Sequence, residues 1–165
     1  MNHAELTHQR LRELLEYNPE TGVFTWKVDR GNQFTRPGMV AGSVFKEGYI
    51  RVFVDGKNHM AHRLAWLHVH GEWPAGEIDH INGVKDCNSI ANLRDVTHSV
   101  NQQNRRKCTK HNKCGLLGVF RSYAGWRSVI QVGGRTVHLG LFDTKEQAHA
   151  SYLEAKRDKH VGCSI

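Results

Sequence analysis

The sequence predicts an α+β fold in two parts, and three observations carry that prediction. Short β-rich stretches lie between closely spaced glycines over residues 22–61, and again after residue 116. Other segments, at 7–16, 62–70 and 144–160, carry apolar residues at helical spacing. The charge also changes character: residues 1–99 hold 11 Lys/Arg and 12 Asp/Glu, whereas residues 100–165 hold 12 and 4. The expected organisation is a first domain over 1–107, a basic linker over 108–115, a second domain over 116–160 and a tail over 161–165.

In chain order, residues 7–16 place Leu11, Leu14 and Leu15 at helical spacing, with Thr7 as N-cap. Asn18 to Gly22 is turn chemistry. VFTW (23–26) and YIRVFV (49–54) read as strands, and Asp55-Gly56 is a hairpin signal joining the second to residues 57–61. Residues 62–70 read as a short helix with Leu64, Leu67 and Trp66 packing inward, closed by Gly71 and Pro74. EIDHIN and NLRDVT read as strands around an irregular loop. Thr97 then caps a polar helix over 98–107. Beyond the linker come GVFRS, WRSVIQV and RTVHLG, the last two joined by Gly133-Gly134. Thr144 and Gln147 form a capping box that opens a helix to about His160.

Composition excludes several classes. The chain has 165 residues and 39% hydrophobic residues, enough for modest cores. No apolar run reaches the ~18–20 residues of a membrane span, and the first residues lack an apolar signal core, so nothing implies secretion. Without that context Cys87, Cys108, Cys114 and Cys163 read as free thiols or metal ligands rather than a disulfide framework. The net charge is +7, and no acidic residue occurs between Asp95 and Asp143. That stretch carries Arg105, Arg106, Lys107, Lys110, Lys113, Arg121, Arg127 and Arg135. A one-sided field of this kind draws polyanions, nucleic acid first, with a merely basic surface as the plain alternative.

Asp79-His80 ends a short strand before a loop, and Asn92 and Asn101 follow at the loop's far side and on the polar helix. Phosphodiester hydrolysis needs a base for the attacking water and a cation for the charge on the leaving oxygen. Histidine is a base near neutral pH. A carboxylate with an amide oxygen suits a hard cation. Each residue alone reads as surface, cap or turn; their joint spacing points to nuclease chemistry.

These residues resemble the HNH endonucleases of the ββα-metal fold, in the branch common among phage and intron-encoded homing enzymes. The similarity runs over about residues 14–104: Tyr17 to Trp26, Ala61 to Trp66, Gly71 to Pro74, Ile78 to Gly83, Asn92 to Thr97, and Asn101. It implies that His80 is the general base and that Asp79 and Asn101 hold one divalent ion, Mg²⁺ with Mn²⁺ as the alternative. Asn92 would pin the loop and orient His80. His98 competes with Asn101 as the helix ligand, and Asn88 competes with Asn92. The products would carry 5′-phosphate and 3′-hydroxyl ends. A homing role in phage or prophage follows, acting in the cytoplasm of a bacterial host.

In the last 50 residues, a two-residue turn at 133–134 pairs Val132 with Arg135, Ile130 with Val137 and Ser128 with Leu139, giving one largely apolar face that Trp126 joins. Ala148, Tyr152 and Ala155 offer the helix stripe that covers it. The other face carries Arg127, Val129, Gln131, Thr136 and His138, and such a face reads base edges in a major groove. This unit is similar to the APETALA2-type DNA-binding domain over about 114–160, through Gly118-Val119, Trp126-Arg127, His138 to Thr144, Glu146 to Ala148, and Tyr152. The similarity adds Phe120 and Ser122 to the DNA face. The basic residues Arg105, Arg106, Lys107, Lys110, Lys113 and Arg121 would meet the backbone of double-stranded DNA, bound by a monomer or weak dimer. Cys108, His111 and Cys114 have zinc-ligand character, with Cys87 or Cys163 as a fourth, but the second ligand pair is missing and structural zinc is not expected. Two rival readings are a non-catalytic DNA-binding regulator built on such a nuclease and an RNA-binding protein.

Overall fold

Thr7 starts the first element: its hydroxyl accepts from the Arg10 amide at 3.2 Å, and α1 runs over His8–Leu14. The computed structural model describes residues 5–108 and 111–164. The helix is shorter than expected because Leu15 and Tyr17 alternate inward with Glu16 outward, so Leu15–Tyr17 forms β1. It pairs antiparallel with β2 (Phe24–Trp26) across the Asn18–Gly22 turn. A second sheet orders β3 (Ser43–Val44), β4 (Ile50–Val54) and β5 (Lys57–Met60). Val52 and Val54 point inward, as period-two alternation requires. Asp55 turns β4 into β5 at a positive φ of 47°, a conformation that Asp tolerates better than most residues.

Helix α2 (Ala61–His70) buries Ala61, His62, Leu64, Ala65 and Leu67 and ends on Gly71 at φ 82°. Of these, Ala61, Leu64, Ala65 and Leu67 join Leu11, Leu14, Leu15, Tyr17, Phe24, Trp26, Val52, Val54, Ile78 and Leu93 in one core. Strands β6 (Glu77–His80) and β7 (Leu93–Val96) pair antiparallel, with Asp79 opposite Arg94 and His80 opposite Leu93. The expected ββα order is present: β6, β7, then α3 (His98–Gln103).

The chain divides into two compact units, Met1–Thr97 and His98–Ile165. The division falls before α3, whereas the sequence reading puts a boundary after it. The reason lies in the C-terminal tail. The Gly162 amide donates to Gln103 Oε1 at 3.0 Å, and Lys156 Nζ donates to the Arg105 carbonyl at 2.6 Å. The expected helix over 98–107 stops at Gln103, and the basic run Arg105–Lys107 continues without regular structure.

The second unit is a sheet ordered β10 (Arg135–Phe142), β9 (Gly125–Val132), β8 (Val119–Ser122), covered by α4 (Lys145–Lys159). The capping box is complete: Thr144 accepts from the Gln147 amide and Gln147 accepts from the Thr144 amide. The predicted register holds for Val132–Arg135 and Ile130–Val137 but fails for Ser128, which faces Gly140 rather than Leu139. A bulge between His138 and Gly140 absorbs the extra residue, with Gly140 at φ 147°, a conformation glycine adopts without strain. The buried helix positions are Ala148, Tyr152 and Lys156, so Lys156 takes the place expected of Ala155. No helix among the described residues is long and apolar enough to cross a membrane.

Candidate active site

His80 ends β6 and is 5% exposed. Its Nε2 lies 3.1 Å from Asn88 Oδ1. The Asn88 amide nitrogen donates to the Asp86 carbonyl at 3.2 Å, which fixes which end of the amide faces the ring. An amide oxygen only accepts, so Nε2 carries the proton and the neutral ring keeps its basic lone pair on Nδ1. Burial pushes the His80 pKa down, partly opposed by the Asn88 hydrogen bond and the Asp79 charge. The neutral, base-competent form is therefore favoured near pH 7.

Two further rings flank His80. His62 meets it edge-on at 5.2 Å and Tyr49 lies 6.0 Å away. Burial, then the neighbouring His80, holds the His62 pKa down at about 3. Lys85 Nζ stands over the Tyr49 ring at 4.6 Å and pairs with Glu47 at 2.6 Å.

The structure divides between two asparagines the work expected of Asn92. Asn92 pins the loop: its Oδ1 accepts from the Asn82 amide at 2.9 Å and its Nδ2 donates to the Cys87 carbonyl at 2.7 Å. The hydrogen bond to His80 comes from Asn88, a correction to the role expected of Asn92. The sequence spacing admits both residues, and only the loop's path separates them.

Asp79 is 6% exposed, and its Oδ2 accepts from Arg94 Nε and Nη2 at 2.9 and 2.7 Å. The sequence reading missed Arg94, although the antiparallel register of EIDH with LRDV already places it opposite Asp79. His98 and Asn101 stand on α3, in the second unit. Among the described residues no group of three or more His, Cys, Asp or Glu is placed to hold a metal ion. A buried carboxylate and an amide oxygen nevertheless suit a hard cation that keeps several waters.

In the second unit the alternation sorts the expected DNA contacts. Phe120, Arg127 and Leu141 form one cross-strand row, Val129 and His138 the next, Gln131 and Thr136 the third. Phe120 and Leu141 are 42% and 47% exposed, and the Arg127 guanidinium stands 5.9 Å from the Phe120 ring centre. Leu141 joins this face only because of the bulge. Arg121 shares the opposite face with Trp126 and stacks on that ring at 4.9 Å. Arg106 donates to the Ser164 carbonyl at 3.1 Å. Lys107 and Lys113 are exposed, Arg105 lends its carbonyl to Lys156, and Lys110 lies outside the described residues. The Cys114 thiol is within bonding distance of the Val119 carbonyl at 3.0 Å.

Comparison with known proteins adds three findings. Residues 59–103 match the model of a family described as HNH endonuclease. Among curated proteins none matches the chain. A solved structure, "DNA binding and cleavage by the HNH homing endonuclease I-HmuI", is 28% identical over 55% of this chain, with a TM-score of 0.41. The chain spans about half the length of that structure, 51%. Over residues 59–103, a segment that includes Asp79 and His80, the chain is thus similar to the HNH endonucleases.

Proposed function

We propose that the protein is a metal-dependent DNA endonuclease of the homing type, with His80 as the general base. The observation that carries this reading is the buried His80 ring, held by the Asn88 amide oxygen, inside the segment similar to HNH endonucleases. His80 takes a proton from the attacking water, whose oxygen bonds to phosphorus as the 3′ oxygen leaves, giving 5′-phosphate and 3′-hydroxyl ends. Asn92 keeps the loop closed around the base. Asp79 and Asn101 would hold the divalent ion, Mg²⁺ or Mn²⁺, an assignment that rests on the sequence resemblance. When bound, that ion supplies positive charge against the developing charge on the leaving oxygen.

The second unit targets the nuclease to double-stranded DNA as an APETALA2-type module. Phe120, Arg127, Gln131, Thr136 and His138 face the bases, and Arg105, Arg106, Lys107, Lys110 and Lys113 the backbone. Its charge and its exposed sheet face support this reading. The protein acts as a monomer or weak dimer, in a bacterial host cell that carries the phage or prophage.

The test is relaxation of supercoiled plasmid with Mg²⁺, with and without chelator, followed by mapping of the break ends. His80→Ala should keep its fold and DNA affinity and lose cleavage by ~10²–10⁴-fold. Near-normal cleavage by His80→Ala would remove His80 from the mechanism. A second reading, the non-catalytic regulator, draws on the Arg94 guanidinium already seated on Asp79. Absence of Mg²⁺-dependent breaks in the wild-type chain would favour it.

A further inference from the structure

Three contacts tie the turn of the β1–β2 hairpin to the segment that carries Asn88. The Tyr17 hydroxyl donates to the Asn88 carbonyl at 2.7 Å. The Ile90 amide donates to the Pro19 carbonyl at 3.0 Å. Gly22 lies so close that a β-carbon there would stand 2.2 Å from the Asn88 carbonyl carbon and 2.4 Å from the Ser89 nitrogen. The turn is itself stiff. Asn18 Oδ1 accepts from the Glu20 and Thr21 amides, both at 3.0 Å, and the Asn18 carbonyl accepts from Gly22 at 2.8 Å.

The Tyr17 hydroxyl is not needed to bury its ring. That ring stands 4.7 Å from Phe24 in the core, where phenylalanine would pack as well. What the hydroxyl adds is a fixed position for one peptide, that of Asn88, which is 2% exposed. The Asn88 side chain is held at both ends, nitrogen on Asp86 and oxygen on His80. A peptide free to shift would let the amide turn and present its N–H₂ to the ring. The imidazole would then carry its proton on the other nitrogen, with the lone pair on the wrong side.

We infer that the β1–β2 hairpin positions His80: Tyr17 and Gly22 hold the Asn88 peptide so that the Asn88 amide oxygen sets the tautomer and plane of the imidazole. Tyr17 touches no reacting atom and is a positioning residue. The inference rests on the reading of His80 as the base, and the test separates the two.

Full-length Tyr17→Phe, Gly22→Ala and Asn88→Ala are compared with wild type and with His80→Ala. The measurements are Tm, metal-free plasmid affinity, kcat and KM for Mg²⁺-dependent plasmid relaxation, and long-range ¹H–¹⁵N spectra of the histidine rings. The His80 signals are assigned by their loss in His80→Ala. Partners that orient a catalytic side chain are typically worth roughly 10–100-fold in activity, which is the kcat loss expected of Asn88→Ala. Tyr17→Phe should lose a smaller part of it, with KM and affinity unchanged and a lower share of the Nε2–H tautomer. Gly22→Ala pushes the same peptide by another route and should move the ring signals in the same direction, which keeps the idea testable if Tyr17→Phe does not fold. Wild-type His80 ring signals in the folded variants would overturn the inference, as would a kcat loss that merely follows the folded fraction. If His80→Ala still cuts, the base assignment fails, while the ring signals still decide whether the hairpin sets the tautomer.

Discussion

His62 meets His80 edge-on, its Nδ1 buried and without a hydrogen-bond partner among the described residues. Its folded-state pKa of about 3 lies below the ordinary 6.5. Between those values the unfolded chain binds a proton that the native chain does not. The stability that the neutral ring contributes is thus complete above about pH 6.5 and is lost as the pH falls toward 3. One such proton corresponds to at most about 1.4 kcal/mol per pH unit. Urea unfolding at pH 7 and pH 5 should show a marked loss in the wild type and a smaller one in His62→Phe; equal losses would clear His62 of the effect. At this scale the sequence singles out Asp79 and His80, because their spacing to later asparagines is a pattern along the chain, and the structure buries both. It did not reveal Lys156, which is 1% exposed. A lysine reads as solvent-facing unless one knows that a carbonyl, here that of Arg105, waits where it enters the core.

At the scale of elements, the chain entering β8 lies against α4 through a glycine. A β-carbon on Gly118 would stand 2.0 Å from the Tyr152 ring, and Gly118 has φ +71°. Gly118→Ala therefore carries both a steric and a backbone penalty, of the kind that produces losses above ~3 kcal/mol. Thermal unfolding followed by near-UV circular dichroism should show the C-terminal tryptophan signal melting early. A wild-type melting curve would mean that Tyr152 moves aside at no cost. Element identities were largely legible, since caps, glycines and alternation are local: Thr7, Gly71 and the Thr144–Gln147 box act where the sequence puts them. The bulge was not. Nothing in RTVHLGLF alone tells whether Leu139 or Gly140 faces Ser128. That choice is made by Phe142 pairing with Trp126 at the far end of the ladder.

At the scale of the molecule, the acidic and basic residues are sorted by unit: residues 98–165 hold 12 Lys/Arg and 4 Asp/Glu, the remainder 11 and 12. Each phosphate neutralised contributes a salt slope of about −0.9. Replacing Lys107 and Lys113 by Gln should flatten log K against log salt by up to ~1.8 and weaken cognate and scrambled duplexes alike. Gln131→Ala should leave the slope nearly unchanged and relax preference at one or two base pairs, by ~1–3 kcal/mol if the contact is bidentate. Binding isotherms at several salt concentrations measure both, and an unchanged slope in the double variant would take those lysines off the DNA backbone. The same sorting shapes how the protein behaves during purification. Near pH 9.4 the charges of its sequence balance, yet the arginines of the second unit stay ionised. A heparin column should therefore retain it at its isoelectric point, where a chain with evenly mixed charge would flow through.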